Sequence, residues 1–419
     1  MKPSPLWLDA AAAAAKLGVS RATLYAYVSR GLIRSQPLPG SSRARSYARD
    51  DVERLLRRAE ARRDPAQAAA HALEWGIPVL ESAITFIDGR SLYYRGHDVV
   101  VLSRTRSVAD VASLIWTGEF GQRFGTPKAI AVQPSLPRDA SFVAKAQALL
   151  AAAASDDPGA VDLRASSVAH AGWRMLHLLT SAAIGWPAGR PKVATIDERL
   201  ARAWRAGPDA TGIIRAVLIL CADHELNVSS FTARCVASAG STPYAVVIAG
   251  LSALEGFRHG GAGARVEAML DAIQKEIAPE RRGRQPALRR TLEARMRRGE
   301  SIGGFGHPLY PDGDPRARAL LDLLQHHYAG SDELRFVSAF VEAAASVVRE
   351  PPNLDFALAA VSRVLRLPSN APLMLFAIGR TIGWIGQAIE QYATGQLIRP
   401  RARYVGPAPI FPPAATSVR

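Results

Sequence analysis

Residues 303–317 read GGFGHPLYPDGDPRA, and they place His307 and Arg316 in a stretch that suits neither an ordinary helix nor an ordinary strand. Four glycines and three prolines interrupt the backbone here, whereas the chain on either side is rich in alanine and leucine. The pair Asp314-Pro315 predicts a helix start, because aspartate caps helices and proline is tolerated in the first turn. The stretch therefore predicts a loop that leads into a helix carrying Arg316.

Three further segments place titratable side chains where the helical pattern is broken or wholly apolar. They are CADHELNVSS (221–230) with His224, GFRHGGAGA (256–264) with His259, and PPNLDFALAAV (351–361) with Asp355. The pattern places His224 inside an apolar helix, between two acidic residues. Each segment also has an ordinary explanation when taken alone, namely a packed histidine, a turn or a capped helix start.

Two chemistries could join these residues. Three histidines and a carboxylate can bind a metal, but metal sites usually contain a close pair of ligands on one segment, and no such pair occurs here. Carbon–carbon bond formation needs a carboxylate base, a neutral donor for the enolate and a second donor for the electrophilic carbonyl. It also needs arginines for a dicarboxylate partner, because bidentate guanidinium contacts fix planar carboxylates.

Six motifs together resemble the citrate synthase family in order and spacing. They are DHELNVSSFTARCVAS, HGGA, GFGHPLYPDGDPRA, PNLDF, GRTIGWIGQ and IRPRARYVG. The start ITFIDG…YYRGHDV is also similar to the opening hairpin of the family, so the likeness runs from about residue 78 to 406. Each motif is weakly specific by itself, whereas six in the right order are strongly specific. The resemblance implies a mainly α fold, with a large helical domain and a small one that closes over coenzyme A.

The resemblance implies three catalytic residues. Asp355 matches the general base that takes a methyl proton from acetyl-CoA. His259 matches the residue that hydrogen-bonds the thioester carbonyl and stabilises the enol. His307 matches the residue that polarises and protonates the carbonyl of oxaloacetate. No metal and no cofactor is implied, since the acyl-CoA is a substrate.

The resemblance also implies four residues that bind the dicarboxylate. His224 matches one ligand, and Arg316 and Arg380 match arginines that bind its carboxylates. Arg399, the first arginine of IRPRA, matches one that the neighbouring subunit supplies, so a homodimer is implied.

The sequence departs from the family pattern at two places. Common bacterial members read GFGHRVY and HGGANE, whereas this chain has Pro308-Leu309 after the histidine and Gly263-Ala264 in place of Asn-Glu. The second change leaves recognition of the acyl-CoA less determined than recognition of the dicarboxylate. Residues 125–210 match the family poorly and are shortened.

The first part of the chain carries a different pattern. Residues 6–30 hold two short helices around a tight turn, in which Asp9 can cap the first helix, Gly18 can end it and Ser20 can cap the second. The following residues predict a two-stranded wing with a basic tip and then a third helix. This resembles the winged helix-turn-helix of the MerR and excisionase type, a DNA-binding module.

The candidate DNA contacts are exposed residues of the second helix and of the wing. They are Arg21, Tyr25, Arg43 and Arg45. Residues 1–63 contain 13 lysines and arginines against 5 acids, a net charge of +8 out of +15 for the chain, which suggests a basic module that meets a polyanion. The alternative is a small basic helical cap that binds nothing.

Composition bounds the remaining possibilities. A hydrophobic content of 48% against 21% charged residues is ordinary for a globular protein, and no stretch is long and apolar enough to span a membrane. The N-terminus lacks the pattern of a signal peptide. Cys221 and Cys235, which the pattern places on one helix, are expected to be reduced thiols. We therefore expect a cytoplasmic protein.

The predicted domain organisation combines these patterns. A winged helix-turn-helix covers residues 1–63 and a helical connector covers 64–77. A large domain covers 78–261 and 368–419, and a small domain covers 262–367. Residues 78–102 alternate like two strands joined at Asp88-Gly89, a hairpin signal.

Two functions of different classes remain open from the sequence. One is condensation of an acyl-CoA with oxaloacetate. The other is transcription regulation, with the synthase-like body serving as metabolite sensor and dimeriser. The two are compatible in one chain.

Overall fold

The computed structural model describes residues 7–37, 44–49, 51–52, 55–56, 80–125, 134–137, 139–185, 194–207, 209–278 and 284–409. The chain divides into two compact units, Met1–Glu81 and Ser82–Arg419. The predicted connector at 64–77 lies outside the described residues, and the predicted division into a large and a small domain stays a prediction. Among the described helices, none is long and apolar enough to cross a membrane.

The first unit contains two helices packed on a small antiparallel sheet. Its elements are β1 (Trp7–Leu8), α1 (Ala10–Leu17), α2 (Arg21–Ser29), β2 (Ser35–Pro37) and β3 (Arg45–Ala48). The predicted caps are confirmed, since Asp9 Oδ1 accepts from Ala12 N at 2.8 Å and Ser20 Oγ accepts from Thr23 N at 3.2 Å. Gly18 ends α1 in the left-handed conformation with φ of 64°.

The wing of this unit has one more strand than the sequence indicated. Strand β3 lies between β1 and β2, so the segment before α1 completes a three-stranded sheet. Residues 49, 51–52 and 55–56 are helical, in agreement with the predicted third helix. The Asp51 carboxylate accepts from the backbone N–H of Arg34 at 2.7 Å, which ties that helix to the start of the wing. The wing tip, with Arg43, lies outside the described residues.

The second unit opens with a hairpin of β4 (Thr85–Ile87) and β5 (Leu92–Tyr94), followed by β6 (His97–Asp98). Its turn is the predicted one, because Asp88 Oδ1 accepts from the backbone N–H groups of Arg90 and Ser91 and Gly89 has φ of 92°. The prediction of strand up to residue 102 was wrong. Residues from Val99 onward are helical, since Asp98 caps them through a 3.0 Å bond to Val101 N.

The remainder of the second unit is helical. The helices described there are α3 (Val99–Thr105), α4 (Val108–Thr117), α5 (Phe142–Ser155), α6 (Ala165–Ile184), α7 (Ile196–Ala203), α8 (Ala210–Leu220), α9 (Val228–Ser238), α10 (Pro243–Leu254), α11 (Gly261–Ile277), α12 (Arg284–Arg297), α13 (Pro315–Tyr328), α14 (Asp332–Val347), α15 (Leu354–Val364) and α16 (Ala371–Thr394). The mainly α fold class is confirmed.

Helix α16 lies at the centre of the apolar core and packs against α6, α8, α9 and α10. Close approach explains its glycines. A Cβ on Gly379 would lie 2.6 Å from the carbonyl oxygen of Leu218, and a Cβ on Gly250 of α10 would lie 2.6 Å from the Trp384 ring. The tight packing brings the middle of α16, with Arg380, against the end of α8.

One predicted helix does not form. The sequence pattern placed His224, Cys221 and Cys235 inside a single helix, but α8 ends at Leu220 and α9 begins at Val228. Asn227 caps α9 by accepting from Ser230 N at 3.1 Å, and Glu225 has a positive φ of 51° that a helix excludes. His224 therefore lies in a loop between two helices, and both cysteines are free thiols.

Candidate active site

The loops between helices converge where the sequence predicted a site. His224 lies between α8 and α9, His259 between α10 and α11, and His307 between α12 and α13. The other members stand on helices: Arg316 and Asp355 are the second residues of α13 and α15, and Arg380 lies within α16. Loops, two helix starts and the middle of α16 thus contribute the candidate side chains.

The His224 and His307 rings are in edge-to-face contact, and the Tyr310 ring packs against both. The centroids of the two histidine rings are 5.2 Å apart, and the Tyr310 centroid lies 4.9 Å from that of His307. The Tyr310 hydroxyl is hydrogen-bonded to His224 Nε2 at 2.9 Å. Burial, and after it the charge of Arg316, lowers the pKa of His224 well below its ordinary value. The hydrogen bond with Tyr310 fixes the orientation of the His224 ring. Because its pKa is lowered, His224 is neutral at physiological pH.

The local backbone selects one tautomer of His307. The N–H of Leu309 donates to His307 Nδ1 at 3.1 Å, so Nδ1 carries the lone pair and the neutral ring carries its hydrogen on Nε2. Burial, followed by the charge of Arg316, lowers the pKa of His307 to about 4. Pro308 is exposed, and the donor is the residue after it, so the substitution found in this chain leaves the bond intact. His307 is thereby a neutral N–H donor.

Arg316 is buried and paired with Asp314. Its Nε donates to Asp314 Oδ1 at 2.9 Å and its Nη2 donates to Asp314 Oδ2 at 2.8 Å. Asp314 also caps α13 by accepting from Arg316 N at 3.0 Å, as Asp-Pro predicted. Burial raises the pKa of Asp314, but the Arg316 charge outweighs it and the pKa lies below the usual range. The guanidinium is thus fixed in one orientation beside the histidines.

Arg380 is buried and only partly satisfied. Its Nε donates to the carbonyl oxygen of Cys221 at 2.7 Å, and its Cζ lies 4.6 Å from the Phe376 ring centroid. Its Nη1 atom is buried and has no hydrogen-bond partner among the residues that the structure describes. Buried donors are normally satisfied, so a guanidinium with an unused N–H suits an anionic ligand.

His259 is held by a serine at the start of α9. Its Nε2 lies 2.9 Å from Ser229 Oγ, and the same hydroxyl lies 2.9 Å from Asn227 Oδ1. Burial, and then the charge of Arg380, lowers the pKa of His259 to about 4. The Ser229 hydroxyl donates its single hydrogen to Asn227 Oδ1 and therefore accepts from Nε2–H of the neutral ring, whereas rotation of the hydroxyl towards Nε2 would leave the ring hydrogen on Nδ1. The orientation of the serine hydroxyl therefore determines which ring nitrogen of His259 carries the hydrogen.

Asp355 has the properties of a base. Burial raises its pKa to about 6, an effect that the charge of Arg316 reduces and that of Asp314 increases. Asn353 caps its helix by accepting from Asp355 N at 3.0 Å. The amide of Asn353 also donates to the carbonyl oxygen of Gly306 at 3.0 Å, next to His307. A carboxylate with a pKa near neutrality can accept a proton readily and is still ionised at pH 7.

Two backbone bonds connect the Asp355 and His307 segments. Gly306 N donates to Pro351 O and Asn353 N donates to Gly304 O, each at 2.9 Å. Gly304 and Gly306 have φ of 88° and 73°, a region that residues other than glycine rarely adopt. The glycines of the quoted stretch thus let it run against the start of α15.

Arg399 does not join this group within one chain. It is exposed in the segment after α16, and in the described part of the protein it has no hydrogen bond or ion pair. The two buried arginines connect the other predicted residues electrostatically. Arg380 influences His224 and His259, and Arg316 influences His224, His307 and Asp355.

Sequence reasoning missed five side chains that build the site. They are Tyr310, Asp314 as the partner of Arg316, Asn227, Ser229 and Asn353. Three of them carried a local signal, because an asparagine or aspartate just before an apolar helix is a capping residue. Nothing in the local pattern indicated that Tyr310 and Ser229 bond histidines distant in sequence.

The N-terminal unit presents a second group of candidate residues. Arg21, Tyr25 and Arg45 are exposed, and Tyr25 is 52% exposed on the outward side of α2. All three lie near Tyr47 of β3, whose pKa is raised by burial and by Tyr25 and lowered by the two arginines. Residues of the second helix and of the wing therefore share one surface.

Comparison with known proteins agrees with both patterns. The model of the citrate synthase C-terminal domain matches residues 72–401, and a helix-turn-helix domain model matches residues 7–60. Putative citrate synthase 2 of Mycobacterium tuberculosis (strain ATCC 25618 / H37Rv) is 33% identical over 372 residues, which is 80% of this chain and 94% of the relative. The 2-methylcitrate synthase of Shewanella oneidensis is 34% identical over 202 residues, 48% of this chain and 52% of the relative.

Solved structures extend the likeness to the fold. Citrate synthase from Thermotoga maritima MSB8 superposes with a TM-score of 0.66 at 25% identity, covering 80% of this chain and 96% of that one. A ternary complex of citrate synthase from Thermoplasma acidophilum with carboxymethyl coenzyme A and oxaloacetate gives the same values. The gathered histidines, arginines and aspartate, the helical fold and these matches lead to one conclusion: the chain belongs to the citrate synthase family and carries a helix-turn-helix domain at its N-terminus.

Proposed function

We propose that the chain condenses acetyl-CoA, or another short acyl-CoA, with oxaloacetate and releases coenzyme A. One observation supports this most: Asp355 has its pKa raised to about 6, and the buried Arg316 that acts on it also acts on the neutral His224 and His307. A base, neutral donors and carboxylate ligands are the groups that this condensation requires.

The first step proposed is formation of the enol. Asp355 removes a proton from the carbon next to the thioester carbonyl, and His259 donates a hydrogen bond to the carbonyl oxygen. A neutral imidazole suits this role, because its N–H can share a proton with the enol oxygen without a full positive charge in the site. The pKa of about 4 at His259 supports a neutral donor.

The second step proposed is carbon–carbon bond formation. The enol carbon attacks the ketone of oxaloacetate, and His307 donates its Nε2 proton to the oxygen that becomes an alcohol. Arg316, Arg380 and His224 bind the dicarboxylate, and Arg399 of the neighbouring subunit completes the set in a homodimer. Water then cleaves the thioester of the condensed intermediate, which gives the tricarboxylate and coenzyme A.

The donor remains to be assigned between two candidates. Acetyl-CoA is the default, and propionyl-CoA would give 2-methylcitrate. One extra methylene changes the binding free energy by only about 1–3 kcal/mol. Small changes in the pocket can therefore switch the preferred donor from acetyl-CoA to propionyl-CoA. Relatives named for either product occur among the similar proteins.

The test of this proposal is release of free thiol. Purified protein receives oxaloacetate with acetyl-CoA, propionyl-CoA or butyryl-CoA, and thiol is followed against samples that lack oxaloacetate. We expect release that depends on oxaloacetate with at least one donor. A folded protein that turns over none of them contradicts the proposal.

The N-terminal unit supports a second, compatible function, namely binding of duplex DNA. The specific observation is the shared surface of Arg21, Tyr25 and Arg45, in a unit with an excess of positive charge. We expect salt-dependent binding of the full chain to a duplex that is selected from a random pool, with the affinity altered by oxaloacetate or acyl-CoA.

Single substitutions distinguish DNA binding through this surface from non-specific attraction by the positive charge of the whole unit. Arg21→Ala and Arg45→Ala should weaken binding and each reduce the salt slope by about 1 if the residue contacts a phosphate. Arg30→Ala, at the exposed end of α2, is the matched control and should have little effect. Equal losses from all three variants would contradict recognition by the shared surface.

A further inference from the structure

The loop between α8 and α9 is held by side chains that the proposed reaction steps leave unused. This loop, residues 221–227, carries His224, and the hairpin of β4 and β5 bonds to it. The hairpin residues that do so are Thr85 and Tyr94, which belong to the opening segment ITFIDG…YYRGHDV but have no part in the proposed chemistry. Thr85, Tyr94 and their common partner Asp223 are here called the hairpin clamp.

Tyr94 holds the backbone of the residue before His224. The tyrosine is fully buried, and its hydroxyl accepts a hydrogen bond from Asp223 N at 3.0 Å. The single hydrogen of the hydroxyl can be donated to the carbonyl oxygen of Asp223 at 3.0 Å or to that of Ile219 at 3.2 Å. A loop lacks the regular backbone bonds of a helix, so its buried polar groups need partners of this kind. The hydroxyl therefore fixes the course of the chain immediately before His224.

Thr85 holds the side chain of the same residue. Its hydroxyl donates to Asp223 Oδ2 at 2.6 Å, and the amide of Gln387 on α16 donates to the same oxygen at the longer distance of 3.5 Å. The other oxygen, Oδ1, is buried and has no hydrogen-bond partner among the described residues. Within the part of the chain that the structure describes, Thr85 thus supplies the one short side-chain hydrogen bond of this buried carboxylate.

The clamp also acts on Arg380. The Asp223 carboxylate packs against α16 one turn after this arginine, since a Cβ on Gly383 would lie 2.5 Å from its Oδ1 atom. Arg380 in turn donates to the carbonyl oxygen of Cys221 in the same loop. Burial raises the pKa of Asp223, whereas the charge of Arg380, and after it the Thr85 hydroxyl, lowers it. The clamp therefore meets two of the proposed dicarboxylate ligands, one through the chain and one through its opposite charge.

We propose that the hairpin clamp positions two dicarboxylate ligands, His224 and Arg380, before the substrate binds. This inference rests on the proposed function. Ligands that are already in place lose less conformational freedom on binding, and the affinity for the dicarboxylate rises accordingly. In the described structure no hydrogen bond of the clamp reaches Asp355 or His259. The clamp should therefore determine binding of oxaloacetate and leave the proposed proton transfers unchanged.

The experiment removes single hydroxyl groups and leaves every charge in place. The variants are Tyr94→Phe and Thr85→Val, and Thr85→Ser restores a hydroxyl at the second position. Tyr244→Phe is the matched control, because Tyr244 is equally buried and its hydroxyl donates to Asp157 instead of the His224 loop. For each protein, kcat and the KM values for oxaloacetate and acyl-CoA are measured at a temperature at which circular dichroism shows it to be folded.

The expected result is confined to the dicarboxylate. Tyr94→Phe and Thr85→Val should each raise the KM for oxaloacetate about tenfold, since each leaves a buried polar group of the loop without its partner. Their kcat and their KM for acyl-CoA should stay within about threefold of wild type, as loss of binding for one substrate predicts. Thr85→Ser should return the KM for oxaloacetate to within about twofold of wild type. Tyr244→Phe should melt at a lower temperature than wild type and keep the wild-type KM.

Three results would overturn the inference. They are a wild-type KM for oxaloacetate in folded Tyr94→Phe or Thr85→Val, an equal rise of that KM in Tyr244→Phe, and a Thr85→Ser variant that behaves like Thr85→Val. If wild type turns over no acyl-CoA, the proposed function fails, and calorimetry with oxaloacetate decides the clamp by itself. Binding by wild type and Tyr244→Phe that is about tenfold weaker in Tyr94→Phe then supports the clamp. Equal binding by all three, or no binding by wild type, contradicts it.

Discussion

The Asp314 carboxylate accepts a hydrogen bond from the backbone N–H of Leu354 at 3.1 Å while both of its oxygens bind the Arg316 guanidinium. One buried side chain thereby joins the first turns of α13 and α15, which carry Arg316 and Asp355. The proposed dicarboxylate ligand and the proposed base are positioned by the same group. Because Asp314 also binds Leu354 N, a change at Asp314 should disturb the positions of both Arg316 and Asp355.

Substitution of Asp314 should damage binding and stability together. In Asp314→Asn the amide presents N–H groups to a guanidinium, and the Arg316 charge remains buried without its partner. Removal of one partner of a buried ion pair destabilises a protein by about 3–5 kcal/mol. We expect a lower melting temperature by calorimetry and a raised KM for oxaloacetate.

The matched control is Asp312→Asn. The Asp312 side chain is 66% exposed, and among the described residues its carboxylate pairs only with Arg90, so its loss should change stability by less than about 1 kcal/mol. If Asp314→Asn behaves like Asp312→Asn in both measurements, the shared carboxylate has no positioning role.

The stability of wild type should depend on pH through Asp355. Its folded pKa of about 6 lies above the value of about 3.9 for an unfolded aspartate. The native state therefore holds the extra proton between these values, and its contribution to stability is full below about pH 4 and is lost as pH rises through about 6. At pH 8 the half-buried carboxylate is a destabilising charge.

Asp355→Asn removes that charge and should reverse the effect. At pH 8 we expect the free energy of unfolding of the variant to exceed that of wild type by about 1–3 kcal/mol, after allowance for partial exposure of the side chain. The variant should therefore melt at a higher temperature than wild type. The gap should narrow towards pH 4. A gap that is constant with pH would show that Asp355 titrates normally.

The pH dependence of kcat/KM should report the same group. Activity should increase as pH rises through about 6, because Asp355 must be ionised to accept the proton. His259 and His307 have pKa values of about 4 and stay neutral across this range. A rate that falls between pH 5 and 7 would indicate that a protonated histidine is needed instead.

Ser229→Ala should affect the reaction more than binding. The hydroxyl is buried and can select the tautomer of His259, so its loss leaves the donor nitrogen undefined. We expect kcat to fall about tenfold or more while the KM for oxaloacetate stays near wild type. Ser252→Ala, an exposed serine that bonds Gln147, is the control and should be silent. A loss of oxaloacetate binding in Ser229→Ala without a change in kcat would contradict the role.

The sequence predicted the caps and turns of this fold well because they are local. Asp9, Ser20 and Asp314 cap helices where expected, and the Asp88-Gly89 turn forms. The error at His224 has the opposite cause. The apolar sequence before and after residues 221–227 suggested one continuous helix, but Asn227 caps a new helix there. The Arg380 side chain also donates to the carbonyl oxygen of Cys221 at this break.

The candidate site was predictable to a similar extent. Residues set in unusual backbone, such as His307 among glycines, stood out from the sequence. Tyr310 and Ser229 did not, because their partners His224 and His259 lie 86 and 30 positions away and only the packed helices bring them together. Long-range pairs of this kind have no local signature.

The central claim, condensation with Asp355 as base, is tested most directly by thiol release from acetyl-CoA and propionyl-CoA in the presence of oxaloacetate. We expect wild type to release thiol only when oxaloacetate is present. We expect Asp355→Asn to lose about 10²-fold or more of kcat while calorimetry shows that it still binds oxaloacetate. An Asp355→Asn variant as active as wild type, or a folded wild type that releases no thiol, would contradict the account.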